Sequence, residues 1–200
     1  MVPAAVDDVA PWPDWCSAAE GALRFLAGYV GWDVWLVTQV VDDRQVILLA
    51  HPEGAVSPGM ELPWDQSFCR EMTEGRAPRL ATVTAAVPAY ASRTTGSIAD
   101  VAAYVGVPLV RADGSLFGTL CGVAFRARPR SAARELRVVE AAARLLSTLM
   151  AAGMDPPPLP GPPTTTGWPA GASRCARAAR AAGWRRARRR PRGGRSPAAR

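Results

Sequence analysis

Val101-Ala102-Ala103-Tyr104-Val105-Gly106-Val107-Pro108-Leu109-Val110, then Arg111-Ala112-Asp113-Gly114-Ser115, then Leu116-Phe117-Gly118-Thr119-Leu120-Cys121-Gly122-Val123-Ala124-Phe125 is the stretch on which the fold turns. Two runs rich in β-branched and aromatic residues flank an Asp-Gly turn, the strongest short-range signal of a β-hairpin. Pro108 cannot donate to a central ladder and Gly106 admits close backbone approach, so the first strand is expected to be interrupted or to lie at an edge. Gly118 and Gly122 are expected to leave space above the sheet.

Downstream, Ser131 follows Pro129 and is placed to cap a helix reaching Met150. Leu136, Val139, Ala143, Leu146 and Met150 alternate steps of three and four along it, a heptad-like stripe that suits two helices packed side by side. Glu140 and Arg144 stand four apart in the favourable order. Upstream, the stretch from Ala77 to Ser97 carries Pro78, Pro88 and Gly96 with little period, and reads as a long connection able to wall a pocket. Asp65 to Glu74 spaces Phe68, Cys69 and Met72 as a short helix, with Gly75 as its C-cap. Val34 to Val41 and Gln45 to Leu49 read as strands around an Asp42-Asp43 turn, and Ser17-x-x-Glu20 forms a capping box for a helix from Ala18 to Val30. Helix, two strands, short helix, long loop, hairpin and helix in that order imply an α+β sandwich with an antiparallel sheet.

The 200 residues divide by charge: residues 1–155 carry −4 and the remaining 45 carry +11, all of it Arg. The basic balance therefore describes a tail and not the body. The expected domains are a flexible arm at 1–16, a folded body at 17–152 and a disordered Pro/Arg-rich tail at 153–200. The tail reads either as a nucleic-acid contact through phosphates, as an inert extension, or as a truncated or frameshifted linker, since acids stop at Asp155 and Lys is absent throughout. No apolar run is long enough to span a membrane and Asp7-Asp8 stand where a secretory signal carries positive charge, which implies a cytoplasmic protein. Cys16, Cys69, Cys121 and Cys175 form no C-x-x-C pair, and His51 alone cannot complete a zinc set, so no metal is expected.

Pro63-Trp64-Asp65-Gln66-Ser67-Phe68-Cys69, Val87-Pro88-Ala89-Tyr90, Ala103 to Leu109, and Asp113-Gly114-x3-Gly118-Thr119-Leu120-Cys121-Gly122 together resemble the GAF domain superfamily over Ser17 to Met150. The resemblance implies a PAS-related antiparallel sheet of five to six strands, N- and C-terminal helices on one face and a ligand pocket under loops on the other. It further implies a module of bacterial signalling that senses a small molecule or a redox state. Such a module passes a shift through its terminal helices to a fused or separate output domain, such as a kinase or cyclase, and this chain is not expected to be an enzyme itself. Trp64, Ser67, Phe68, Cys69, Tyr90, Tyr104 and Cys121 are the expected pocket, apolar walls with few polar anchors; the competing reading is that the aromatics simply fill the core. The terminal helix is the expected dimer contact and stalk.

Sharper chemistry finds less support. Some GAF proteins reduce free methionine sulfoxide with three cysteines around the cavity, but here the stretch from Ala77 to Ser97 has no Cys. Haem or bilin binding needs an axial ligand or attachment Cys at the cavity, and His51 reads as a turn residue. The Asn-Lys-Phe-Asp motif of cyclic-nucleotide-binding members is missing. No Gly-rich phosphate loop, nucleophile elbow or carboxylate pair occurs. The cofactor is left unknown, and a redox-sensing Cys69–Cys121 pair stands as an alternative.

Overall fold

The computed structural model describes residues 10–94 and 96–161. Cys175, the Arg-rich tail and its nucleic-acid reading, and most of the N-terminal arm lie outside the described residues. The hairpin forms as its turn demands: Gly114 takes φ 81°, the Arg111 amide donates to the Ser115 carbonyl at 2.9 Å, and the Asp113 carboxylate accepts from the Ser115 amide at 2.9 Å. Strand β5 (Ala103–Val110) and β6 (Leu116–Ala124) pair antiparallel on either side of it. Phe117 is an extra residue in β6, so the alternation slips there and Phe117 and Leu120 end on the same face.

Around this hairpin stand β1 (Val34–Val41), β2 (Arg44–His51), β3 (Glu61–Pro63) and β4 (Leu80–Ala81). Asp42 and Asp43 join β1 to β2 with φ of 47° and 59°, the left-handed pair that a two-residue hairpin of matching twist requires. The six strands run in the order β3-β2-β1-β6-β5-β4, antiparallel throughout. Strand β5 is continuous, and Pro108 is accommodated because β4 pairs only with Tyr104 and Val105, leaving the Pro108 side of the ladder open.

Side chains then sort by the two-residue period. Trp35, Val37, Val105, Leu109, Leu120 and Ala124 face the helices. Val34, Leu36, Ile47, Tyr104, Cys121 and Val123 face the loops. On the first face lie α1 (Trp15–Val30) and α4 (Leu136–Ala151). The buried Trp15 indole donates to the Leu146 carbonyl at 3.1 Å and meets Phe117 edge-on at 5.9 Å, which ties α1 to both α4 and the hairpin. Arg128, beyond β6, donates to the Val30 and Gly31 carbonyls at the end of α1, satisfying acceptors that a helix C-terminus leaves open.

Four expectations are corrected here. Helix α1 starts at Trp15, three residues early, because Asp14 and not Ser17 is the cap: its carboxylate accepts from the Ser17 amide at 2.7 Å, and the arm's residues 15 and 16 belong to the helix. The helix expected over Asp65 to Glu74 splits into a 3-10 turn (Trp64–Gln66) and α2 (Phe68–Thr73), because Ser67 is extended and caps the second piece. Ser131 caps nothing, since Arg130–Glu135 is a 3-10 turn leading into α4. The heptad-like stripe is spent inside the protomer, with Val139, Ala143 and Leu146 fully buried against the sheet and α1, so it is no dimer seam. No helix among the described residues is long and apolar enough to cross a membrane.

Candidate functional site

The loop-side face of the sheet is apolar except at its centre. Thr38 on β1 and Thr119 on β6 stand directly opposite each other, with hydroxyl oxygens 2.8 Å apart. Gln45 on β2 joins them, its amide nitrogen donating to Thr38 Oγ1 at 3.0 Å. Above the three sits Cys69, carried on the first turn of α2 and held there by the Ser67 cap, whose Oγ accepts from the Arg70 amide and donates to the Trp64 carbonyl. Cys69 Sγ accepts from Gln45 Nε2 at 3.0 Å, from Tyr104 Oη at 3.2 Å and from Thr119 Oγ1 at 3.2 Å. Cys121 on β6 stands opposite Gly106, over which the Tyr104 hydroxyl lies, and belongs to the same buried cluster.

These contacts set the protonation of the pair. Burial pushes the Cys69 thiol up, yet the hydrogen bonds from Cys121, Thr119, Tyr104 and Gln45 outweigh it and hold the group below its ordinary value, at about 7. Donating to Cys69, together with burial and the neighbouring sulfur's charge, raises the Cys121 thiol well above its ordinary value. Burial first, and then the charge of Cys69, raises the Tyr104 phenol, so it stays a donor.

Over this polar centre lies an aromatic roof. Phe68, Tyr90 and Tyr104 touch pairwise with ring centroids 5.0 to 5.5 Å apart. Tyr90 belongs to α3 (Pro88–Ala91), in the connection expected to wall a pocket, and its hydroxyl donates to the Pro78 carbonyl at 2.5 Å. The connection is pinned to α2 by Glu71, which is only 3% exposed and accepts from Arg76 at 2.8 Å and from Arg93 at 3.0 Å. Arg76 and then burial and Arg93 set its titration, and the guanidinium groups hold the carboxyl below its usual range.

Of the seven expected pocket residues, Phe68, Cys69, Tyr90, Tyr104 and Cys121 come together in one buried cluster. Trp64 is half-buried at its margin, and Ser67 is buried but used up as the helix cap. The rings fill the space over the sheet. Gly118 and Gly122 do not open it: a Cβ at Gly118 would strike the Thr38 backbone, and one at Gly122 would meet the Trp35 ring on the helix side. A cleft of about 640 Å³ lies elsewhere, where α4 ends, lined by Gln39, Arg111, Phe117, Met150 and Pro157 among others. Sequence reasoning missed Thr38, Gln45 and Thr119; their signal was a polar residue on the buried register of an otherwise apolar strand. His51 ends β2, away from this cluster, and among the described residues no three metal-ligating side chains meet.

No protein-family model and no curated protein matches the sequence. Solved structures do resemble the fold. The GAF domain of an Acinetobacter phosphoenolpyruvate-protein phosphotransferase is 11% identical with a TM-score of 0.57, over 74% of this chain and 89% of that one. The chromophore-binding domain of an unusual bacteriophytochrome from R. palustris is 14% identical with a TM-score of 0.55 over 70% of this chain, which spans only 56% of the length of that one. A free methionine-R-sulfoxide reductase from Neisseria meningitidis, in complex with its substrate, is 19% identical with a TM-score of 0.52, over 72% of this chain and 83% of that one. At these identities the likeness is one of fold, and the fold of this chain is GAF-like.

Proposed function

We propose that this chain is a cytoplasmic GAF-type sensory module, regulatory and not catalytic, that takes a small molecule over the loop-side face of the sheet by displacing the aromatic roof, and relays its presence through α4. The observation that supports it is a bonded route around the sheet edge. Tyr90 in the roof holds the Pro78 carbonyl, and the next residue, Arg79, pairs with Glu140 of α4 at 2.7 Å, while its own carbonyl accepts from Gly106 in β5. Displacing Tyr90 therefore pulls on β4 and on α4 together. A ligand favouring the displaced arrangement shifts the population of both, which is what a sensor needs. A dimer contact in this reading falls to the outward side of α4, where Leu145 is exposed, and not to the buried stripe.

The test uses the full chain with a panel of cyclic mononucleotides, free amino acids including methionine sulfoxide, haem and biliverdin. A probe that raises the melting temperature should change hydrogen exchange both in residues 82–101 and in α4. Glu140→Gln should keep the first change and lose the second. A stabilising probe that alters α4 equally in the variant would sink the relay, and no response across the panel would count against the binding reading.

A further inference from the structure

We propose that Cys69 and Cys121 are a dithiol site for a peroxide, oxidised to an intramolecular disulfide beneath the aromatic roof. The proposal rests on the sensory reading above and deepens it by naming the class of stimulus. Its first support is the number of donors on one sulfur. A structural buried cysteine behaves as a small hydrophobe and needs no polar shell. Here Gln45, Tyr104 and Thr119, all buried, direct N–H and O–H groups at Cys69 Sγ from inside an otherwise apolar cluster. Three donor groups converge on this one sulfur, and Gln45 and Thr119 also bond to Thr38 and to each other, an arrangement that favours the thiolate as acceptor.

The second support is how the backbone makes room for this shell. Tyr104 lies back across Gly106, whose missing side chain is what admits the hydroxyl; a Cβ there would overlap it. The third is the partner. Cys121 pairs with Gly106 across the β5–β6 ladder, next to the Tyr104 hydroxyl that donates to Cys69, and both cysteines lie in one buried cluster, so an oxidised Cys69 has a second sulfur nearby to resolve it. Access is through the roof, which consists of a six-residue α2, a four-residue α3 and the loops between them, packed on the sheet by Phe68, Met72 and Tyr90 and pinned by bonds such as Arg93 to Glu71. Short elements of this kind open locally at a small fraction of the cost of global unfolding. A peroxide needs little more room than a water molecule.

The chemistry balances as follows. The Cys69 sulfur gives an electron pair to one peroxide oxygen; the S–O bond forms, the O–O bond breaks, and the departing hydroxide takes the Cys121 thiol proton to become water. The Cys121 sulfur then attacks the sulfenic sulfur of Cys69; the S–S bond forms, the S–O bond breaks, and the second hydroxide becomes water with the proton Cys69 released to solvent on ionising. Two thiols lose two electrons and one peroxide is reduced to two waters. The disulfide removes the acceptor that Tyr104, Thr119 and Gln45 share, so α2 and the roof are released from the sheet. Disulfides formed in a reducing compartment are typically transient and sensory, which suits such a switch.

The experiment treats the full chain with hydrogen peroxide, quenches with N-ethylmaleimide, and maps peptides by mass spectrometry. The expected result is a peptide pair joined through Cys69 and Cys121 that dithiothreitol separates. Cys121→Ser should instead stop at a Cys69 sulfenic acid trapped by dimedone, and Tyr104→Phe should slow the reaction at neutral pH about fivefold, the fall in thiolate fraction expected when a pKa of about 7 rises by one unit. The proposal is overturned if Cys69 and Cys121 are both still alkylated on unfolding after Cys16, the half-exposed thiol of α1, has been oxidised. The two readings fail separately. A linked peptide in a protein that answers no probe of the panel keeps the dithiol and removes the small-molecule pocket. A ligand response with no link removes the dithiol alone.

Discussion

Cys69 ionises more readily in the fold, at about 7, than at its ordinary value of 9.0. A group with a depressed pKa stabilises the native state fully above the unfolded value and loses that contribution as pH falls through the folded one. The stability difference between the wild type and Cys69→Ser should therefore grow from pH 7 to pH 9, by at most about 2 kcal/mol for a shift of this size. Cys121 works in the opposite sense: its raised pKa means a contribution lost as pH climbs above 9.0. Urea unfolding of both proteins across this range checks the sign, and a flat difference would mean that Cys69 stays protonated. Gly106→Ala is the companion test. Its Cβ would displace the Tyr104 hydroxyl, so a loss of about 1 to 3 kcal/mol is expected, the cost of leaving a buried donor unpaired, measured by the same unfolding curves.

At the scale of elements, α1 and α4 are held by different means. Helix α1 has Gly21 and Gly28 in its interior and begins on the Asp14 cap, so Asp14→Ala should cost about 1 kcal/mol, read as a fall in melting temperature. Helix α4 has no capping side chain and depends on burial. Leu146→Ala should cost about 2 to 5 kcal/mol, because the cavity would open beside Trp15 in the main core. Leu145→Asp, on the exposed side one residue away, should leave monomer stability within about 0.5 kcal/mol. Equal losses at the two positions would contradict the orientation of α4. The outer face of α1 carries Phe25 and Tyr29, 55% and 69% exposed and stacked at 5.5 Å.

Across the whole molecule, hydrogen exchange should divide by depth. The central strands β1, β6 and β5, buried on both faces, should exchange slowest, and residues 82–101 fastest, because that connection lies outside the sheet and its α-helix, α3, has four residues. Uniform exchange would remove the argument that the roof opens on its own. The architecture itself was legible in the sequence. The Asp113-Gly114 and Asp42-Asp43 turns and the two-residue alternation around them specify four of the six strands and which side chains share a face, since turn dihedrals and pleat are local properties. The identity of five of the loop-side cluster's residues could be read as well, because Phe68, Cys69, Tyr90, Tyr104 and Cys121 lie in the motif blocks. What those residues do when assembled could not. A three-and-four stripe on α4 looks the same whether it meets a second chain or the sheet of its own, and only the packing of Val139, Ala143 and Leu146 against Trp15 and β5 decides that it is internal. Likewise, the space expected over Gly118 and Gly122 is closed by Thr38 and Trp35, residues some eighty positions away. Local patterns are set by bonds between near neighbours along the chain; the hydrogen-bond shell of Cys69 joins α2 to three strands, and a spacing along one strand holds no information about what the fold lays across it.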